Sequence, residues 1–391
     1  GEHSVVHGRR GVAVSLDLRT KLTLTQNTDS VTLDLPDVKI RESWSLDTIR
    51  TLYHLLGHAT PQNIHSDPNS SKLTSKEAKI IKEFIGVGED SKCQKTLAML
   101  SFFHLYTSIL SKPSGCTISV SSQIPTGAGL GSSAAYASCL VGALLVLSGQ
   151  VSANSLLATT DEATRRPAIE LVNSWTYISE IIMHGTPSGI DNTTCTFGGV
   201  ISIKDGSIKT LGRCCLQIML VNTKEPRSTK SMVAGVKDKL NKYPHIINPL
   251  MNSMDALAEE ALKILHTLRD VEDKINAFNN QIEGNTKETP CSQEAAELYE
   301  KLGELMNMNH SLLGALGVSH PTLEKVVQVA LRFGLHAKLT GAGGGGFAIV
   351  LVPRQTKTAS VRLCMDALKE LDCQVWMVDL GVFGLCLQRC T

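Results

Sequence analysis

Aromatic residues are scarce at 4% of the chain, so base-stacking platforms for nucleic acid are not its main business. Net charge is nearly absent. The 38 Lys and Arg against 37 Asp and Glu leave +1, which gives no field to attract a polyanion or a lipid headgroup surface. Long apolar runs are missing too: the longest, about 134–147, is too short to span a bilayer. The 11 cysteines are odd in number and irregularly spaced, form no CxxC pair, and include the adjacent Cys214 and Cys215. Reduced thiols are therefore expected, with neither a zinc site nor a disulfide framework. No signal peptide and no C-terminal retention or peroxisomal address is read. Membrane proteins, disordered tails and general nucleic-acid binders are all demoted. What is present is 42% apolar and 19% charged residues over 391 positions, material for two soluble globular domains.

Period-2 alternation predicts strands over 5–6, 12–14, 20–24 and 30–35, followed by a turn at Pro36-Asp37. Helices are expected over 46–57 and 75–86, with a polar surface loop at 59–75 between them. An amphipathic helix is expected over 96–110 and a strand over 116–121. A glycine-rich loop at 127–131 then opens a helix that stops before Gly149. Further on come a helix over 168–184 and strands over 199–203 and 216–221. A division near the Asp205-Gly206 turn separates an N-terminal domain, 1–212, from a C-terminal one, 213–391. The latter is mostly helical to about 334, with Leu298, Leu302, Leu305 and Leu312 on one face and a polar break at 282–293. It ends with a strand over 346–352, a helix over 356–371 and strands over 373–379 and 382–388. The class is α+β.

Pro125-Thr126-Gly127-Ala128-Gly129-Leu130-Gly131-Ser132-Ser133 has the composition of a phosphate cradle. Alternating glycines let backbone N–H groups approach an anion, and the following helix adds its positive dipole end. Ser132 and Ser133 can cap that helix or offer oxygens to a phosphate or a metal. No Lys follows the last glycine, so it is not a Walker loop, and the GxGxG spacing is not the dinucleotide fingerprint. Downstream, Glu180 and His184 share a helix face, and a Pro187-Ser188-Gly189 turn presents Asp191. Two carboxylates near a phosphate cradle suit Mg²⁺-dependent phosphoryl transfer, one for the cation and one for the attacking hydroxyl. Alone, Glu180 reads as a solvated helix residue and His184 as a hydrogen-bonded histidine at a helix end. Lys338-Leu339-Thr340-Gly341-Ala342-Gly343-Gly344-Gly345-Gly346 has more glycine than a flexible hairpin needs, and suits backbone lying close to a ligand.

These segments, with Gly1-Glu2-His3-Ser4-Val5-Val6-His7-Gly8 and Asn222-Thr223-Lys224-Glu225-Pro226-Arg227, resemble the GHMP superfamily. Its members are galactokinase, homoserine kinase, mevalonate kinase and phosphomevalonate kinase. Within it the motif forms match the mevalonate kinase branch, over almost the whole chain. The resemblance implies transfer of the ATP γ-phosphate to the 5-hydroxyl of mevalonate, in isoprenoid and sterol biosynthesis. It implies an N-terminal ribosomal-protein-S5-like domain and a C-terminal ferredoxin-like domain with the site in the cleft between them. It assigns the ATP phosphates to Gly127, Ala128, Gly129, Leu130, Gly131, Ser132 and Ser133, with Ser122 bordering the nucleotide. Mg²⁺ falls to Ser133 and Glu180, and the general base is Asp191. Glu2 and His3 line the mevalonate and phosphate region, Thr340 and Gly341 close over it, and Arg227 supplies charge to substrate or phosphate.

Homodimers, ATP-competitive inhibition by prenyl diphosphates and a cytoplasmic location, with the peroxisome as the alternative, are also implied. The family carries a phosphate-contacting Lys, in a Pro-Gly-Lys strand, just ahead of Gly-Glu-His. This sequence begins inside the motif and reads as N-terminally truncated. Asp37 stands where relatives often carry Asn near the nucleotide. Two alternatives stay open: another small-alcohol kinase of the superfamily, or, if the Lys strand is truly absent, a non-catalytic ATP-binding protein.

Overall fold

The computed structural model describes residues 1–57, 67–88, 91, 93–125, 129–281 and 290–388, with the backbone alone at 276–281 and 290–292. Its strands are β1 (Gly11–Val14), β2 (Thr20–Gln26), β3 (Ser30–Leu35), β4 (Ile40–Ser45), β5 (Cys116–Ser122), β6 (Val200–Lys204), β7 (Ser207–Thr210), β8 (Leu216–Asn222), β9 (Ala337–Thr340), β10 (Phe347–Leu351) and β11 (Gln374–Leu380). Its helices are α1 (Leu46–Leu55), α2 (Ser75–Phe84), α3 (Gln94–Ile109), α4 (Ser132–Leu147), α5 (Glu162–His184), α6 (Ile190–Phe197), α7 (Thr229–Lys242), α8 (Pro244–Gln281), α9 (Pro290–Ala315), α10 (Pro321–Arg332) and α11 (Thr358–Glu370). None of the described helices is long and apolar enough to cross a membrane.

The chain folds as two compact units, and each takes two stretches of sequence. One is Gly1–Asp17 with Gly199–Val382; the other is Leu18–Gly198 with Phe383–Thr391. A single cut at 212/213 does not describe this. The reason is strand pairing between distant residues: β1 runs antiparallel to β6, which pairs with β7, so the first residues belong with the segment after 199.

In the unit of 18–198 the sheet order is β2-β5-β3-β4, with β3 and β5 parallel. Its core includes Val31, Leu33, Phe102, Phe103, Tyr106, Leu140, Leu144 and Trp175. α3 is not amphipathic as expected. Every residue from Leu100 to Ile109 is buried, so the helix is core on all sides. Its polar side chains are satisfied internally: Ser101 Oγ lies 2.6 Å from Ser179 Oγ, and His104 Nε2 2.9 Å from the Ser71 carbonyl. β4 was not expected. Its exposed Arg41-Glu42-Ser43 stretch shows no alternation, and pairing with β3 defines it. α5 begins earlier than expected, capped by Asp161, and carries Pro167 inside. The expected last strand, 382–388, forms only isolated bridges. Its carbonyls accept from Arg19, at 2.6 Å to Phe383, and from Arg165 to Leu385.

In the other unit a four-stranded antiparallel sheet, β11-β8-β10-β9, carries helices over a core of Met219, Val221, Leu313, Leu323, Val326, Leu339 and Val350. Val5-Val6 is not a strand but part of a single 3₁₀ turn, Ser4–His7. The polar break lies between α8 and α9, and 282–289 is outside the described residues.

Candidate active site

Gly131 is the N-cap of α4, with φ 75°, and no side chain caps the helix. The expectation that Ser132 or Ser133 caps it is corrected: they are its first two helical residues. The backbone N–H groups of that first turn therefore have no side-chain acceptor, which is what an anion site at a helix N-terminus requires. Asp191 is likewise not on a turn. Gly189, with φ 84°, caps α6, and Asp191 lies in its first turn. The two helix starts adjoin: a Cβ at Gly131 would lie 3.9 Å from Asp191 Cγ and 3.8 Å from Cys195 Sγ.

Glu180 and His184, one turn apart on α5, complete the group. With Pro187, Ser188, Gly189, Asp191 and Asn192 they line a recess of about 130 Å³. Asp191 is open to solvent on the recess side. Protein crowding its other sides pushes its carboxyl pKa up, and a protonated ring at His184 would oppose that. Glu180 is only 2% exposed. Burial raises its pKa, His184 and the Ser133 hydroxyl oppose that, and the Asp191 charge adds to it.

Ser133 Oγ is 2.9 Å from His184 Nε2, and Glu180 Oε2 is 3.7 Å from the same nitrogen. Glu180 Oε1 is buried without a hydrogen-bond partner. A buried carboxylate oxygen beside a serine hydroxyl suits a hard, oxygen-seeking cation. No group of three His, Cys, Asp or Glu among the described residues could hold a metal ion. A cation at Ser133 and Glu180 would draw its other ligands from phosphate and water, the usual Mg²⁺ arrangement.

Gly127 and Ala128 lie outside the described residues, while Gly129 and Leu130 lead into Gly131. Ser122, at the end of β5, uses its hydroxyl within the fold, at 2.8 Å from Thr20 Oγ1 and accepting from the Ile124 amide at 3.1 Å. Asp37 accepts from the Ser122 amide at 2.8 Å, so it ties the 3₁₀ turn at Pro36–Val38 to the end of β5.

The remaining candidates, Glu2, His3, Thr340, Gly341 and Arg227, come together in the other unit around 341–346. His3 is 1% exposed, and its Nε2 donates to the Ala342 carbonyl at 2.8 Å. Glu2 pairs with Lys338 and accepts from Asn309 Nδ2 at 3.1 Å. Burial alone would raise the Glu2 carboxyl; the Lys338 ammonium beside it acts in the other direction, and the carboxyl is held well below the usual range. Thr340 ends β9 opposite Phe347. Half-buried Arg227 lies against the loop, its Nη1 3.1 Å from where a Gly341 Cβ would be, and burial lowers its pKa. The reason expected for the glycines is incomplete, because much of what they approach is the chain itself. The Gly344 amide donates to Val318 O at 2.7 Å, and a Cβ at Gly345 would meet Glu225 Cβ at 2.6 Å.

Sequence reading assigned no role to Lys338 and Asn309. The first was legible only as the opening residue of the 338–346 motif, and the second carried no signal. His184, read as structural, touches both expected metal ligands.

Residues 95–199 match the N-terminal domain model of the GHMP kinases, and 293–369 match the C-terminal one. The chain is 37% identical over 393 residues to the mevalonate kinase of Bos taurus, covering 98% of this chain and 91% of that protein. It is 36% identical over 398 residues to that of Homo sapiens, covering 100% and 92%. Among solved structures, Methanococcus jannaschii mevalonate kinase superposes with a TM-score of 0.65 at 22% identity, covering 97% of this chain and 93% of that one. L. major mevalonate kinase in complex with R-mevalonate gives 0.60 at 20%, covering 99% and 93%. At those identities the structures speak for the fold.

Proposed function

This chain belongs to the mevalonate kinase family, with its two-domain α+β GHMP kinase fold, and we propose that it transfers the γ-phosphoryl group of ATP to the 5-hydroxyl of mevalonate. The observation that carries the mechanism is the Asp191 carboxylate, open to solvent beside the uncapped N-terminus of α4.

Phosphoryl transfer asks for position and charge neutralisation more than covalent help from the protein. The α4 N-terminus, from Gly129 to Ser133, with Gly127 and Ala128 ahead of it and Ser122 at the nucleotide's border, holds the ATP phosphates. Ser133 and Glu180 would hold Mg²⁺, which when bound would supply neutralisation of phosphate charge. The 5-oxygen forms a bond to the γ-phosphorus, the bond to the β,γ-bridging oxygen breaks, and ADP leaves. Asp191 takes the hydroxyl proton, and its raised pKa makes it a better acceptor than an ordinary aspartate. Glu2, His3, Thr340, Gly341 and Arg227 bind mevalonate and phosphate groups. The homodimer and prenyl diphosphate inhibition belong to the same reading, since a diphosphate offers the α4 N-terminus the oxygens that ATP does. Such an inhibitor should raise the KM for ATP and leave kcat unchanged.

Asp191→Asn should lower kcat roughly a thousandfold while leaving ATP binding nearly unchanged. Near-normal turnover would remove Asp191 from the base role. Turnover of galactose or phosphomevalonate in preference to mevalonate would reassign the substrate.

A further inference from the structure

His184 ends α5, four residues after Glu180, and Gly185 with φ 83° terminates the helix there. Its side chain is 53% exposed, against 3% for Glu180. A ring so exposed contributes little to the core. Its two polar neighbours are specific: Ser133 Oγ at 2.9 Å and Glu180 Oε2 at 3.7 Å, both from one nitrogen, Nε2.

We propose that His184 is a positioning residue that orients the Ser133 hydroxyl toward a divalent cation shared with Glu180. This rests on the phosphotransferase reading above. A serine oxygen that gives a lone pair to a cation must send its proton elsewhere. Nε2 accepts that proton when the ring carries its own hydrogen on Nδ1. The Ser133 oxygen then keeps its lone pairs free for cation and phosphate. Glu180 presents its buried, unpartnered Oε1 for the same cation. Outer-shell partners of this kind fix ligand orientation, and losing one weakens metal affinity by about 10- to 100-fold. A histidine that merely completes a helix end would affect helix stability and leave cation affinity alone.

The test is Mn²⁺ binding to the full chain, followed by electron paramagnetic resonance with a non-hydrolysable ATP analogue present. His184→Phe removes the acceptor and should weaken Mn²⁺ about tenfold. His184→Ala, which removes it without added bulk, should do the same. His184→Gln restores an acceptor and should stay within about threefold of the parent. Thermal unfolding of all three should be close to that of the parent, and the KM for mevalonate unchanged. If Phe and Ala bind Mn²⁺ like the parent while Ser133→Ala and Glu180→Gln do not, the His184 role is overturned and the metal ligands stand. If Ser133→Ala and Glu180→Gln also bind normally, the metal assignment falls and takes the His184 role with it. Equal loss in Phe, Ala and Gln would overturn the acceptor mechanism.

Discussion

Among the described residues a Cβ at Gly131 would meet nothing nearer than Cys195 Sγ at 3.8 Å, whereas at Gly343 it would lie 1.9 Å from the Val318 carbonyl oxygen. Both residues have positive φ, 75° and 72°. Glycine at 131 answers a backbone requirement, since a side chain there would make only ordinary contacts with α6. Glycine at 343 answers a packing requirement, because the loop is pressed against its own unit. Two stretches of similar composition thus differ in what they approach: the first adjoins Asp191, which lines the recess, and the second its own unit's backbone. The acids beside them differ in the same way. Glu2 is held ionised by Lys338, while Glu180 and Asp191 are crowded by protein with His184 opposing.

The comparison breaks first at Gly343. Gly343→Ala sets a methyl against backbone at a left-handed position, and should cost about 4 kcal/mol by denaturant unfolding. A loss under about 1 kcal/mol would mean the loop yields easily. Next, Lys338→Met leaves Glu2 buried without its partner and should cost about 3 kcal/mol. Because the Glu2 pKa is lowered in the folded state, its contribution is complete above the unfolded glutamate pKa and is lost as pH falls through the folded value. Glu2→Gln should therefore flatten the acid side of a stability-versus-pH curve. Gly131→Ala should cost only about 1 kcal/mol, the strain of the left-handed backbone, since a methyl there has room. A cost matching that at Gly343 would erase the contrast. Smallest is Glu180→Gln. Its carboxyl pKa is raised, so the ionised form weakens the fold at neutral pH and the penalty is relieved as pH falls. The neutral variant should melt slightly higher than the parent at pH 7 and at the same temperature in acid.

Much of the site was legible because its signals are local. The Gly129-Leu130-Gly131 run before an apolar helix, the four-residue spacing of Glu180 and His184, and Gly189 ahead of Asp191 are all short-range patterns. Asp191 was still placed on a turn, because Ile190-Asp191-Asn192-Thr193 has little helical propensity. Packing of α6 against α4 and α5 outweighs that preference. α3 misled in the same way: Ser101, His104, Thr107 and Ser108 suggest a wet face, yet all four are buried.

Residue order alone determined the α+β class, the ends of α1 to α4 to within two residues, the glycine-rich start of α4 and the succession of motifs, since each depends on φ/ψ preference, periodicity or capping within a few residues. Tertiary structure decided the Glu2–Lys338 pair, the contact of Gly343 with Val318, the meeting of Gly131 with Asp191, and the allotment of the first 17 residues to the unit after 199. Each of those joins residues far apart in the chain. Such contacts form only when burial elsewhere offsets the entropy of bringing the partners together.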